Sequence, residues 1–126
     1  MNIEEFREHC LSIKGAAESL PFLGHNVLVM KIMGKMFAFI PLEPRDGRFV
    51  ANLKCDPEKS IELRERYNGI GPGHHPSTLL WNGIDIDSDV PDALIVSLIR
   101  HSADEVLKKL SAAKRAEYFA AHGGNP

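Results

Sequence analysis

Apolar positions along this chain switch between helical and alternating periods, and the switches predict its elements. Phe6, Cys10 and Ile13 recur at helical spacing and predict a helix over 2–13. Asn2 is placed to cap it, Glu5 occupies the capping-box position and Gly15 is a natural stop. Residues 18–24 read as a loop. Over 26–33 the pattern alternates, with Leu28, Met30 and Ile32 on one side and Val27, Val29 and Lys31 on the other, as in a strand. Gly34-Lys35 predicts a tight hairpin turn, because Gly supplies a positive φ. Residues 36–40 then read as the return strand, 41–47 as a loop and 48–54 as a third strand, which makes an antiparallel meander.

Asp56-Pro57 marks a sharp helix start, an acceptor at the N-cap followed by Pro in the first turn. That helix is expected to reach about Tyr67, and Asn68-Gly69 ends it. Gly71-Pro72-Gly73 reads as irregular. Residues 78–86 predict another strand. Leu94, Ile95, Leu98, Ile99, Val106, Leu107 and Leu110 form the apolar stripe of a long helix over 91–110. Ser111 caps a last helix that runs to about Ala121. The order is helix, three strands, helix, strand, helix, helix. This predicts an α+β domain spanning 1–126, an antiparallel sheet with helices packed on one face.

Composition narrows the function classes. At 126 residues, 44% hydrophobic and 25% charged, the chain is an ordinary globular size and mix. Its net charge of −2 is not the basic balance of a dedicated duplex-DNA binder, so nucleic-acid contact requires a local patch. Two cysteines without a CxxC pair exclude zinc-ribbon and dithiol motifs. The acidic, polar start is unlike a signal peptide, and the expectation is a cytoplasmic monomer without membrane contact. No P-loop, dinucleotide or GxSxG fingerprint occurs; Gly69, Gly71 and Gly73 follow a helix, the wrong context for a phosphate cradle. No catalysis, cofactor or metal is expected.

The unusual side chains gather between Lys54 and Asp87. Cys55, beside a cation and a helix start, has the setting of a reactive thiol. The commoner explanation is a buried structural cysteine. His74-His75 lacks ligand spacing and reads as a loop pair. Asp85, Asp87, Asp89 and Asp92 alternate as calcium ligands do, but EF-hand positions six and twelve fall on Val90 and Val96. Turn and helix-start acids are the better reading. Trp81 has two open placements, on an exposed sheet face where it would offer a stacking platform, or in the core. Residues 27–60 carry Lys31, Lys35, Arg45, Arg48, Lys54 and Lys59 against four acids, whereas 74–92 carry four aspartates and no Lys or Arg. A sheet face bearing Lys31, Arg48 and Lys54 suits a phosphate backbone. Edge lysines that block aggregation are the alternative.

Pro21-Phe22, Gly34-Lys35-Met36-Phe37-Ala38, Asn52-Leu53-Lys54-Cys55-Asp56-Pro57, Pro72-Gly73-His74-His75, Trp81 and Leu98-Ile99-Arg100-His101-Ser102 together resemble the MmcQ/YjbR family, in order and over nearly the whole chain. The resemblance implies a CyaY-like fold and DNA binding through a double-wing arrangement. Lys35, Lys54, His75 and Trp81 match family motif positions. Two departures stand out. Residues 76–80 carry no cation where the family has a basic stretch, and Ala103 replaces a usual Tyr. The leading expectation is weak, largely sequence-independent DNA contact by Lys31, Lys35, Arg48, Lys54, His75 and Trp81. The alternative is a protein- or small-molecule-binding module that uses the open sheet face.

Overall fold

The computed structural model describes residues 1–19 and 26–124. Its elements are α1 (Ile3–Leu11), β1 (Ala16–Ser19), β2 (Val27–Ile32), β3 (Lys35–Pro41), β4 (Val50–Lys54), α2 (Pro57–Arg66), β5 (Ile70–Pro72), β6 (Trp81–Asp85), α3 (Asp92–Lys108) and α4 (Ala112–His122). The strands form one antiparallel sheet in the order β1-β2-β3-β4-β6-β5. The fold is therefore α+β, as the patterning predicts.

Local chemistry explains most boundaries. Asn2 and Glu5 form a reciprocal capping box on α1. Asp56 accepts from the Lys59 N–H, with Pro57 opening α2. Ser111 caps α4 in the same way. The β2–β3 hairpin turns one residue earlier than expected, on Met33 and Gly34, both at positive φ. Two positive-φ residues match the sheet's twist, which sets Ile32 opposite Lys35.

Two strands escape the periodicity. The predicted loop over 18–24 overlaps β1, which pairs with β2 through Glu18 and Ser19; its remaining residues lie outside those described. A four-residue, largely exposed edge strand has no apolar alternation to reveal it. Gly71 and Pro72, expected to be irregular, belong to β5, the opposite edge. An edge position tolerates Pro, since its missing N–H faces no neighbour. Gly71 lies opposite Gly83, where a Cβ would come within 3.1 Å of the Pro72 carbonyl.

The core lies between the sheet and the helices. Leu28, Met30 and Ile32 of β2, Ala38 and Ile40 of β3, Ala51 and Leu53 of β4, and Ile84 of β6 meet Phe6 and Cys10 of α1 and Ile95, Leu98 and Ile99 of α3. The β2–β3 pairing is irregular, with the extra residue in β3. Met30 pairs with Ala38 and Lys31 with Met36, so Phe37 is an extra, bulged residue. Its ring is fully buried among the core side chains.

Candidate functional site

Strand alternation sends Val29, Phe39, Asn52, Lys54 and Trp81 to the face away from the helical core. Val29 pairs with Phe39, Phe39 with Asn52, and Lys54 with Trp81. Trp81 is on this second face and is nevertheless only 2% exposed. Neither sequence-based placement is right in full, because the 73–80 loop folds back over the sheet. The Gly73 N–H donates to the Trp81 carbonyl at 2.9 Å, and the His74 N–H donates to Asn52 Oδ1 at 2.8 Å. The His75 ring stacks on the indole at 5.0 Å between centroids and 22° between planes. Phe39 packs against the same indole, tilted by 52° at 5.4 Å between centroids. A Cβ on Gly73 would meet Asn52 Oδ1 at 3.0 Å and the Trp81 carbonyl at 3.1 Å, so this approach needs glycine.

The loop is also tied to α2. Arg64 donates from Nε to Asn82 Oδ1 at 2.8 Å and from Nη2 to the Thr78 carbonyl at 2.6 Å. Asn82, buried, donates to Ser60 Oγ at 3.1 Å. His75 Nδ1 accepts from the Ser77 N–H at 3.0 Å, so in the neutral ring the proton sits on Nε2.

Lys54 ends β4 at a point where the ladder stops. The bulge at Phe37 separates β3 from β4, and Ser102 of α3 fills the gap. Its hydroxyl donates to the Phe37 carbonyl and accepts from the Lys54 N–H at 2.8 Å. Next along the chain, the Cys55 N–H donates to the Leu80 carbonyl at 2.9 Å, and the Asp56 N–H donates to His101 Nε2 at 3.1 Å. Motif segments far apart in the sequence therefore meet here as one fastening network.

The Lys54 ammonium lies 5.7 Å from the Trp81 ring centroid. Burial lowers its pKa, and so do the like charges of Lys109 and Lys35, against a smaller opposing pull from Glu105. Beside it, a recess of about 280 Å³ is walled by Lys54 to Pro57, Leu80, Glu105, Lys108 and Lys109. Glu105 is buried and its Oε2 is 2.7 Å from Lys108 Nζ, a bond that raises the Lys108 pKa. Glu105 Oε1 is also 3.4 Å from His101 Nε2. That nitrogen cannot both accept from Asp56 and donate to Glu105. Burial and then Lys59 push the His101 pKa down, so the neutral ring with its Asp56 bond prevails. Among the described residues, no carboxylate stands within ion-pair distance of Lys35, Lys54 or Lys109.

Of the six residues singled out from the sequence, Lys54, His75 and Trp81 come together, and the charge of Lys35 is felt there. Lys31 lies on the same face one strand farther out, opposite Met36. Arg48 is excluded from the cluster. It precedes β4 at the far end, about 20 Å away along an extended chain, and its Nε is 3.8 Å from Asp85. Periodicity missed Lys108 and Lys109. In sequence they read as ordinary cations at a helix C-terminus, and only the packing of α3 brings them to β4.

The acidic run is structural. Asp85 accepts from the Asp87 N–H, and Asp89 accepts from the Asn68 and Gly69 N–H groups at 2.8 Å each. Those two bonds pull the Asp89 pKa down. Burial raises the Cys55 thiol pKa, the reverse of what a nucleophile needs, and holds Cys10 up at about 12. Among the described residues, no group of three or more His, Cys, Asp or Glu side chains is placed to hold a metal ion.

A six-stranded antiparallel sheet backed by helices, with a loop latched over its second face, defines the class of domain. The chain belongs to the YjbR family, whose profile matches residues 11–104. It is 26% identical over 118 residues to the uncharacterized protein YjbR of Escherichia coli K12, covering 91% of this chain and 95% of that one. It is 34% identical over 104 residues to the uncharacterized protein YbdF of Escherichia coli O157:H7, covering 78% and 84%. The crystal structure of Deinococcus radiodurans protein DR2400, described as a DUF419 domain, superimposes with a TM-score of 0.82 at 31% identity, covering 93% of this chain and 87% of that one. A Pseudomonas syringae protein shares the fold at a TM-score of 0.71 and 22% identity, covering 81% and 96%.

Proposed function

We propose that this domain is a non-catalytic binding module that contacts nucleic-acid phosphates, largely without regard to sequence, through Lys35, Lys54 and Lys109. The observation that carries this reading is that Lys54 and Lys109 line one recess with no carboxylate within ion-pair distance of either among the described residues, and Lys35 adds its charge to the same field. Like charges held together raise the energy of the free protein, and an anion relieves it. His75 contributes its Nε2 donor at the border of the cluster. Trp81 supports His75 and Lys54 from beneath, and its burial removes the argument for base stacking on the indole. Arg48, engaged with Asp85, is left out of the interface. The compartment that suits this reading is the cytoplasm; no helix among the described residues is long and apolar enough to cross a membrane.

The test is a titration of labelled single-stranded and duplex DNA followed by anisotropy at several salt concentrations. Binding should fall linearly with log salt, with a slope of about −1.8 to −2.7 on duplex and about −1.4 to −2.1 on single strands for two or three phosphates. Lys54→Glu should weaken it by about tenfold or more at low salt, while Arg48→Glu leaves it within about twofold. Equal loss from the two reversals would move the interface away from Lys54, and absence of binding at low salt would end the reading. A second reading, a small-molecule anion site, is favoured specifically by the recess beside Lys54.

A further inference from the structure

We infer that the recess beside Lys54 is a subsite for a phosphate monoester dianion, so that nucleic acid is engaged at a phosphorylated 5′ terminus rather than along its backbone. This rests on the proposed phosphate contact of the same lysines and makes it more specific.

Shape carries the first part of the argument. A diester backbone is a line of single charges and needs an open track. The recess is instead bounded by the end of β4, the start of α2, the last turn of α3 and Leu80 of the loop. Its volume of about 280 Å³ lies at the lower limit of small-molecule pockets, which run from roughly 300 to 1,000 Å³. Such a space takes a terminal group and part of its sugar, not a continuous strand.

Charge carries the second part. A phosphate monoester bears about −1.5 to −2 at neutral pH, whereas each diester carries a single negative charge. Lys54 and Lys109 approach the recess from β4 and from the end of α3, and Lys35 adds to the same field. Of the two carboxylates in the wall, Glu105 is paired with Lys108, while Asp56 keeps its charge and accepts from the Lys59 N–H at 3.1 Å. Lys54, Lys108 and Lys109 against Asp56 and Glu105 leave a formal charge of +1 on the wall, which attracts a dianion more strongly than a single charge. Leu80 and Pro57 supply an apolar wall against which a sugar packs.

The experiment compares one short single-stranded oligonucleotide with a 5′-phosphate and with a 5′-hydroxyl, against the full chain at fixed moderate salt. The phosphorylated form should bind at least about tenfold tighter, through one additional dianion contact. Inorganic phosphate and a nucleoside 5′-monophosphate, added separately as competitors, should erase that increment and leave the 5′-hydroxyl binding in place. Stronger competition by the mononucleotide than by the oligonucleotide's own terminus would support the site and assign it to free nucleotides. Lys109→Ala, at an exposed position, should abolish the preference, with a melting temperature no lower than that of the parent protein as the control for folding. Equal, salt-dependent binding of the two oligonucleotides would overturn the terminal-phosphate subsite while leaving backbone contact standing. A preference that survives Lys109→Ala would also overturn it. No binding of either oligonucleotide, with no effect of either competitor, would remove both readings.

Discussion

The two ends of β4 are built from charged residues in opposite ways. At the Arg48 end, Arg48, Asp85 and Asp89 each have an answering group. Arg48 meets Asp85, Asp85 accepts from the Asp87 amide, and Asp89 holds the Asn68 and Gly69 amides. At the Lys54 end, the backbone is fully fastened while the lysines are not answered. Ser102, His101 and Leu80 take the amides of Lys54, Asp56 and Cys55, while Lys54 and Lys109 line one recess and the charges of Lys109 and Lys35 lower the Lys54 pKa. An acid that accepts two backbone N–H groups is completing the fold. Like charges held near one another on a rigid frame cost stability, and that cost is what the proposed anion contact would relieve.

The sharpest way to break this contrast is at the frame. Ser102→Ala removes the donor to the Phe37 carbonyl and the acceptor for the Lys54 N–H together. Two buried backbone groups then go unpaired, and denaturant unfolding should show a loss of about 2 kcal/mol or more. A loss below about 0.5 kcal/mol, within the range of an ordinary surface change, would mean that Ser102 does not fasten this end.

A smaller effect is expected from Arg64→Ala, which frees the 73–80 loop from α2. The expected loss is about 1–2 kcal/mol, with a red shift of Trp81 emission as His75 and the loop lift away from the indole. An unshifted spectrum would show that Asn52 and Gly73 hold the loop by themselves.

The smallest effect distinguishes the two ends by pH. The His101 pKa is lowered in the fold, so below about pH 6.5 the unfolded chain binds more protons. The contribution of the neutral ring is complete above that value. It is lost as pH falls toward the folded pKa, and nothing further is lost beneath it. The Asp89 pKa is lowered as well, and its contribution is lost only below the ordinary aspartate value, about 3.9. Amide exchange at Asp56 should therefore quicken as pH falls from about 6.5, beyond the ordinary intrinsic trend, while Asn68 and Gly69 stay protected until strongly acid conditions. His101→Gln, which keeps an acceptor but does not titrate there, should flatten the Asp56 response. An unchanged Asp56 profile in His101→Gln would contradict the assignment.

Much of the architecture was legible in the chain because local physics decides it. The capping groups Asn2, Asp56 and Ser111 mark helix starts in any context, and the alternation over 27–33 fixes which side chains of β2 enter the core. The edge strands β1 and β5 were not legible. Their pairing comes from neighbouring strands, and neither Ala16–Ser19 nor Ile70–Pro72 carries an apolar period of its own. The candidate site was half legible. Lys54, His75 and Trp81 stand out as unusual residues in one stretch, whereas Lys109 is a routine helix-end cation until α3 is packed.

The helices, the meander, the α+β class and the family are all written in the linear chain, because capping, alternation and motif order act over a few residues at a time. Three things needed the folded molecule: that Trp81 is buried on the face away from the core, that Arg48 belongs to the acidic end, and that Lys109 joins Lys54. Burial is conferred by whatever folds over a residue, here a loop held by Asn52 and Arg64. Coulombic neighbourhood depends on distance in space, which 54 intervening residues of chain do not reveal.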